Sequence, residues 1–386
     1  MGKLRRVALL MEREIGYCRG VLRGIHTYAI HKTDWIFRDA APQPEIIGPL
    51  REWQPDGVIA RLYDRSFARR VIALQKPLVN ITSTFLDLNV PLTEVDNEKV
   101  GCLAAEHFLE RGFKTFGYFG SSWAGFSKQR EWGFRDTLRK NGFTVSSCYA
   151  EYLPRLLLNA SWKREERQIH EWLLALEKPA AILASTDVPA RRLAEMCRQL
   201  RLRVPEDIAL LGVDNDELEC LLANPPLSSI ANPAEQIGYT AAQLLDQLMS
   251  GRRPRKQTIW IPPGDVVVRQ STDIVAFGDA DVAAALQFIR DHLAEDITVA
   301  AIARHVSISR RGLERRFRHH LGRTMLQEIQ RARVERVRRL LAETDLPMLL
   351  VARRSGFATS QRLAVVFRQV CGDSPTAFRQ RTRLRT

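Results

Sequence analysis

Three stretches in the first 275 residues run from an apolar segment into polar groups suited to holding a hydroxylated ligand. Ile182-Leu183-Ala184 leads into Ser185, Thr186 and Asp187, and Ile208 to Val213 leads into Asp214 and Asn215. Phe116 to Gly120 leads into Ser121, Ser122 and Trp123. Carboxylates accept hydrogen bonds from sugar hydroxyls, and an indole face packs on the apolar face of a pyranose. Trp123 is therefore the candidate stacking ring, whereas Trp132 lies inside a helical stretch and reads as core. Asp at a strand–helix junction also caps helices and forms turns, so Asp187 and Asp214 carry both readings.

A different chemistry fills the other end of the chain. Residues 276–386 hold 21 Arg, no Lys and 11 acidic residues, a net of +10 out of +14 for the whole chain. The remaining residues carry 37 basic and 33 acidic groups, a net of only +4. A basic segment beside a nearly balanced one points to nucleic acid, with a solvated basic face as the alternative. All seven tryptophans precede residue 261, so the two parts also differ in core chemistry. The boundary is expected at Ile274–Asp279, dividing the chain into residues 1–273 and 274–386.

Elements that place these groups follow from the hydrophobic pattern. Val7–Met11, Gly57–Leu62, Pro77–Thr82, Thr93–Asp96, Thr115–Gly120, Ala181–Thr186 and Ile208–Asp214 read as buried strands. Gly20–Ile30, Val100–Arg111, Gln129–Lys140 and Pro189–Leu200 read as helices, the second stopped by Gly112. Such alternation predicts an α/β fold with parallel sheets and helices on both faces, in two lobes. The crossing between lobes is expected near 112–114 and the return near 232–262. Ligands of open parallel sheets sit beyond the carboxyl ends of the strands, where the polar runs fall.

The tail reads as all-α. Asp281–Leu293 is amphipathic, and Ile297–Val306 is a short helix that Thr298 can cap. A turn at Ser307–Ser309 leads to a helix from Arg310 to His320. About 50 residues on, Met348–Arg354, a turn at Ser355-Gly356-Phe357 and a helix from Thr359 or Ser360 to Val370 repeat the arrangement. Two short helices with a tight turn, the second basic, form a helix-turn-helix. Thr324–Glu343 between the repeats reads as one helix of about 30 Å, close to the ~34 Å of a DNA turn. Two reading helices could then enter successive major-groove segments. Arg310, Arg311, Arg315 and Arg318 are candidates for bases and phosphates. Glu314 either accepts from cytosine N4 or pairs with Arg310 or Arg318. Ser360, Gln361 and Arg362 are the candidates in the second repeat, with Gln361 suited to adenine. Leu313, Phe317, Leu363 and Phe367 read as core. Arg304, Arg353 and Arg354 meet phosphates or form a solvated face.

Val204-Pro205-Glu206-Asp207-Ile208 through Asn215 resembles the corresponding stretch of LacI/GalR-type sensor domains, of the type I periplasmic-binding-protein fold. Val95-Asp96-Asn97 with Gly101 and His107, Arg130 with Gly133 and Phe134, and Pro226–Ile230 with Ile237-Gly238 carry the same resemblance over about residues 5–270. It implies sugar contacts at Arg130, Asp187 and Asp214, and less directly at Arg19. Arg61 and Asp64 are where selectivity among sugars would vary. LacI/GalR-type chains place their DNA reader before this domain, whereas this chain opens on its first strand. Its ending, Phe367-Arg368 through Gly372-Asp373-Ser374-Pro375 to Phe378-Arg379, is similar to the signature of the AraC/XylS family over about residues 278–383. It departs at Leu363-Ala364, where an aromatic pair is usual. Ser307 stands where Gly is frequent, so a different turn geometry is expected there. A LacI-type sensor ahead of an AraC-type reader resembles the layout of xylose operon regulators. It implies a sugar-responsive activator, most simply of pentose and D-xylose, acting on sequence-specific duplex DNA as a homodimer.

Six scattered cysteines without a C-x-x-C pair argue against a zinc site or disulfide framework. No cofactor or metal is called for. The N-terminal apolar run breaks at Glu12, too early for a signal peptide, and no stretch is long enough to span a membrane, so a cytoplasmic site is expected. An enzyme with a Cys102 nucleophile is a reading of another class. It lacks a strand–helix elbow at Cys102. A sensor of a planar nucleobase is a further alternative, and a second ring beside Trp123 would favour it.

Overall fold

Buried apolar runs and amphipathic stretches fold the first part of the chain into two sheet-centred lobes. The computed structural model describes residues 4–30, 34–150, 161–252, 257–274, 279–295 and 297–383. The chain begins with β1 (Arg5–Leu10), α1 (Gly16–Ala29), β2 (Trp35–Ala40), α2 (Ile47–Trp53), β3 (Gly57–Ala60), α3 (Arg65–Ile72), β4 (Leu78–Asn80) and β5 (Leu92–Val95). It continues through α4 (Asn97–Leu109), β6 (Thr115–Gly120), α5 (Gly125–Lys140), β7 (Val145–Tyr149), α6 (Ser161–Ala175) and β8 (Ala180–Ala184). Then come α7 (Asp187–Gln199), β9 (Ile208–Asp214), α8 (Glu217–Leu222), β10 (Ser228–Ala231), α9 (Ala234–Met249), β11 (Thr258–Ile261) and β12 (Val266–Val267).

The first sheet has the order β2-β1-β3-β4-β5-β11, with every pair parallel. The second has the order β7-β6-β8-β9-β10-β12, with only β12 antiparallel. Central strands such as β8 are buried at every residue, as parallel strands covered on both faces must be. β2 and β7 were not legible as strands because they are sheet edges, where exposed positions interrupt the apolar run.

The expected crossing near 112–114 is corrected. β5 still belongs to the first sheet, but α4 packs on α5 of the second lobe, so the chain crosses at Asp96. Residues 112–114 form the turn between α4 and β6, with Gly112 at φ 79°. The α4–α5 contact is close enough that a Cβ on Gly133 would meet the Glu98 carbonyl at 2.0 Å, and one on Gly101 the Arg130 carbonyl at 2.1 Å. Glycine lets the two backbones touch and so sets the height of Arg130 on α5. The chain returns to the first lobe with α9, which packs on α1, and crosses again between β11 and β12.

Contacts divide the chain into two compact units, residues 1–109 with 114–273, and residues 274–386 with 110–113. The link predicted after Asp273 falls largely on 275–278, outside the described residues. The second unit holds α10 (Ala280–Asp291), α11 (Val299–His305), α12 (Arg310–Leu321), α13 (Met325–Glu343), α14 (Met348–Arg354), α15 (Ser360–Cys371) and α16 (Pro375–Arg383). Its core has two clusters. Met325 and Ile329 of α13 join Leu313 and Phe317 in one, while Val334, Val337 and Leu341 join Leu363 and Phe367 in the other. α13 therefore serves both helix-turn-helix units as a shared spine. Thr324 starts it with a capping box completed by Gln327.

Both turns use the left-handed region, with Gly356 at φ 79° and Ser307 at φ 56°. The different geometry expected at Ser307 is not adopted; the serine takes the same conformation. At Gly356 a side chain is excluded outright, because a Cβ would meet the Leu293 carbonyl at 2.0 Å.

Candidate functional site

The carboxyl ends of the two sheets face one another across the lobes and gather a buried polar cluster. Arg130 is 2% exposed. Its Nε donates to Asn97 Oδ1 at 2.8 Å, its Nη1 donates to the Ser185 carbonyl, and its Nη2 lies 3.8 Å from Asp214 Oδ1. Asn97 starts α4 just after the crossing, so this guanidinium ties the hinge to two strand ends of the second lobe. Burial pushes the Asp214 carboxyl up from the usual carboxylate range, and Arg130 and the Asn232 amide act against that shift. Glu94 is raised by burial in the same way, opposed by Ser83 and Arg130; its carboxylate accepts from the Ser83 amide. The Tyr17 hydroxyl, raised well above its ordinary value by burial and then by Glu94, donates to the Ile81 carbonyl at 2.6 Å.

Asp187 does not cap its helix. It is 1% exposed and stands inside α7, while the cap residue is Thr186. Its Oδ1 accepts from Ser229 Oγ at 2.6 Å and its Oδ2 from the Asp216 amide at 2.7 Å. These two bonds brace the Asp187 carboxylate against β10 and the start of α8, with one protein donor on each oxygen. Burial, then the neighbouring Asp214, holds its carboxyl well above the normal range. Asp214 ends β9 and keeps its carboxylate beside Arg130 and Asn232.

Arg19 donates to the carbonyls of Arg13 and Glu14 at 3.2 and 2.7 Å and lies 3.7 Å from Asp216 Oδ2. Asp216 also accepts from the Gly16 amide at 3.0 Å while capping α8 through Leu218, so it fastens α1 of one lobe to the other. Trp123 is 38% exposed in the loop after β6, its ring 6.2 Å from Phe85 and tilted by 33°. Trp132 is exposed on α5 rather than core. On the first lobe, Arg61 donates to Glu12 Oε1 at 3.0 Å, and Asp64 caps α3 through the Phe67 amide. Glu12 Oε2 and Asn232 Oδ1 are buried acceptors with no hydrogen-bond partner. Sequence reasoning missed Glu12, Tyr17, Glu94, Asn97, Asp216 and Asn232. Asn232 follows β10 directly and Glu12 comes two residues after β1, a signal that could have found them.

In the second unit, Arg310, Arg311, Arg315 and Arg318 are exposed on α12, and Leu313 and Phe317 are buried on its other side. Ser309 caps the helix through the Gly312 amide. Glu314 pairs with Arg310 at 3.0 Å, one of the two partners considered for it. Arg316 faces away and binds Asp279 and Asp281 at 3.2 and 2.6 Å. On α15, capped by Thr359, Gln361 and Arg362 are exposed and Ser360 is partly exposed. Val365 and Arg368 share that exposed side, and neither was singled out from the sequence. Leu363 is buried with Val366 and Phe367, so replacing the usual aromatic leaves a closed core. Among the described residues no group of His, Cys, Asp and Glu has the arrangement of a metal site, and no helix is long and apolar enough to cross a membrane.

Comparison with known proteins follows the same division. The family described as periplasmic binding protein-like domain matches residues 105–272, and a helix-turn-helix domain family matches residues 302–381. The xylose operon regulatory protein of Escherichia coli is 29% identical over 98% of this chain and 97% of its own length. That of Haemophilus influenzae is 27% identical over 97% and 98%. The solved structure of a xylose-binding transcription activator aligns with a TM-score of 0.63, 28% identity and 98% coverage of both chains. A periplasmic-binding-protein-like sensor followed by a double helix-turn-helix reader defines the class as a DNA-binding transcription regulator. Within that class the chain is similar to the xylose operon regulatory proteins over nearly its whole length.

Proposed function

We propose that this chain is a sugar-responsive regulator that reads duplex DNA through α12 and α15. Its ligand is a pentose, D-xylose before others, taken up between the lobes. The observation that carries this reading is one chain holding a polar cleft and two arginine-faced reading units, in the order found along the whole length of xylose operon regulatory proteins. Asp214, Glu12 and Asn232 supply acceptors for ligand hydroxyls, while Arg130 and Asp187 hold those acceptors in place. Arg311 and Arg315 read base edges, and Arg310 and Arg318 meet phosphates. A homodimer acting as an activator in the cytoplasm, where the DNA is, completes the reading.

Phe85 beside Trp123 is the ring that would favour a planar nucleobase. Inserting a base between two rings needs about 7 Å between parallel faces, two carbon contacts of ~3.5 Å. At 6.2 Å and 33° the rings touch each other and form one apolar wall, which suits a sugar face as well. Binding rather than catalysis also fits Cys102, whose Sγ donates to the Gly133 carbonyl at 3.7 Å inside α4.

The test is DNA affinity for the region upstream of the chain's own gene, measured with pentoses, hexoses and purines. D-xylose should change that affinity severalfold, by roughly the 5–150-fold usual for coupled sites. An affinity that no bound ligand alters would refute the reading.

A further inference from the structure

The end of β9 holds two consecutive non-glycine residues in the left-handed region, Asp214 at φ 105° and Asn215 at φ 51°. Side chains crowd the backbone there, so such a pair persists only where its surroundings over-determine it. Those surroundings come from two directions. On the cleft side, Asn232 Nδ2 donates to Asp214 Oδ1 at 2.9 Å, and the Asn215 amide donates to Ser229 Oγ at 3.0 Å, itself bound to Asp187. From the other side, Arg269 Nη2 donates to Asn215 Oδ1 at 2.9 Å and its Nη1 to the Leu227 carbonyl at 2.9 Å.

Arg269 opens the last stretch of the sensor before the link. Its amide donates to Ser228 Oγ at 2.8 Å, Thr272 Oγ1 donates to the same oxygen at 2.7 Å, and Ser271 Oγ donates to the Leu210 carbonyl of β9 at 2.6 Å. The segment that leads out of the sensor is thus bonded to the strand whose end presents Asp214.

We propose that the Asp214–Asn215 turn is the two-state element connecting the cleft to the segment leading toward the reader, and that Arg269 is that segment's hold on the turn rather than part of the ligand site. The inference rests on the regulator reading above and adds the route of the signal. Relaxation of either residue to negative φ turns the intervening peptide, carries the Asp214 carboxylate away from Arg130, and takes the Asn215 side-chain oxygen off Arg269. A ligand hydroxyl held by Asp214 favours the left-handed state, as does the Arg269 grip. Ligand and exit segment therefore bias one equilibrium, and their coupling is reciprocal.

The experiment uses the full chain, D-xylose and the duplex upstream of its own gene. Asn215→Gly keeps the left-handed turn at no steric cost and removes only the group that Arg269 holds. Arg269→Met removes the grip from the other side. D-xylose affinity by calorimetry should stay within about threefold of wild type for each variant, while the ratio of DNA affinities with and without sugar collapses toward one, a loss of about fivefold or more. The double variant should be no worse than either single one, since both break the same bond. A wild-type ratio in Asn215→Gly overturns the inference, and that variant decides alone if Arg269→Met does not fold. Loss of sugar binding together with coupling also overturns it, by making the pair merely structural. A wild-type chain whose DNA affinity ignores every ligand fails at the regulator reading itself and takes this inference with it.

Discussion

The two units handle charge in opposite ways. The sensor buries its functional charges: Arg130, Asp187 and Glu94 are enclosed, Asp214 is part-buried beside them, and they spend most of their hydrogen bonds on side chains or backbone around them. The reader exposes its charges: four arginines of α12 stand in solvent on a helix anchored by Leu313 and Phe317. A small uncharged ligand is recognised by directed hydrogen bonds in a dry, prearranged site, which requires burial. A polyanion is met by a surface whose counter-ions and water can leave, which requires exposure. The difference teaches that a charge in this chain reveals its task by the partner it already has.

The largest expected effect breaks the sensor side of that contrast. Arg130→Met leaves Asn97 and the Ser185 carbonyl without their buried donor and the part-buried Asp214 without its cation, and should cost about 3–5 kcal/mol in sum. Because all seven tryptophans precede residue 261, urea unfolding followed by Trp fluorescence reports the sensor alone. An unchanged midpoint would mean Arg130 does not hold the strand ends.

On the reader side, Arg311→Ala and Arg315→Ala should each weaken binding to the cognate duplex by about 1–3 kcal/mol and relax preference at one base. The Trp-monitored midpoint should stay put. Parallel loss on all sequences, with a shallower salt dependence, would reassign these arginines to phosphates.

A smaller effect concerns helix starts. Thr298 accepts from the Ala301 amide and Thr324 from that of Gln327, so replacing either by Ala should cost about 1 kcal/mol of reader stability by circular dichroism. Both changes should leave sugar affinity as it was.

The subtlest prediction is a pH dependence of opposite sign in the two units. Asp187 has its folded carboxyl raised by burial, so the folded sensor binds the extra proton and gains stability as pH falls from neutral toward the ordinary carboxylate range. Glu328 is buried in the reader, yet Arg331 and Arg323 outweigh that burial and hold its carboxyl below the usual value. Its contribution is complete above the unfolded carboxylate pKa, about 4.3, and is lost as pH falls through the lower folded value. Comparing wild type with Asp187→Asn by Trp fluorescence and with Glu328→Gln by circular dichroism reads the two slopes. Slopes of the same sign would remove the electrostatic half of the contrast.

Much of the reader was legible because its signals are local. The boundaries at Arg310, Met348 and Arg354 and the cap at Thr298 depend on neighbours within one helical turn. The sensor was legible as alternating elements but less so as a site. Val95–Asn97 showed a strand giving way to a helix, yet nothing in those residues said that the helix packs in the other lobe. Phe85 and Trp123 are 38 positions apart, and Asp216 reaches Gly16 across 200 residues, distances at which no periodicity carries information. Ser307 was misjudged because a preference for glycine at positive φ is a cost, not a prohibition, and the turn there has room for a side chain.

The sequence by itself determined the two-part architecture, the concentration of arginine in the second part, and which helix faces are apolar. These depend on composition and short-range order, which the chain carries before it folds. Only the tertiary structure decided which partners each strand-end carboxylate has. Asp187 and Asp214 look alike as strand-end acids. One is enclosed by Ser229 and the Asp216 amide, whereas the other stands beside Arg130 and Asn232 at a strained turn. Burial and partnership arise from atoms brought together by folding, so they set the availability of a charge that residue type alone leaves open.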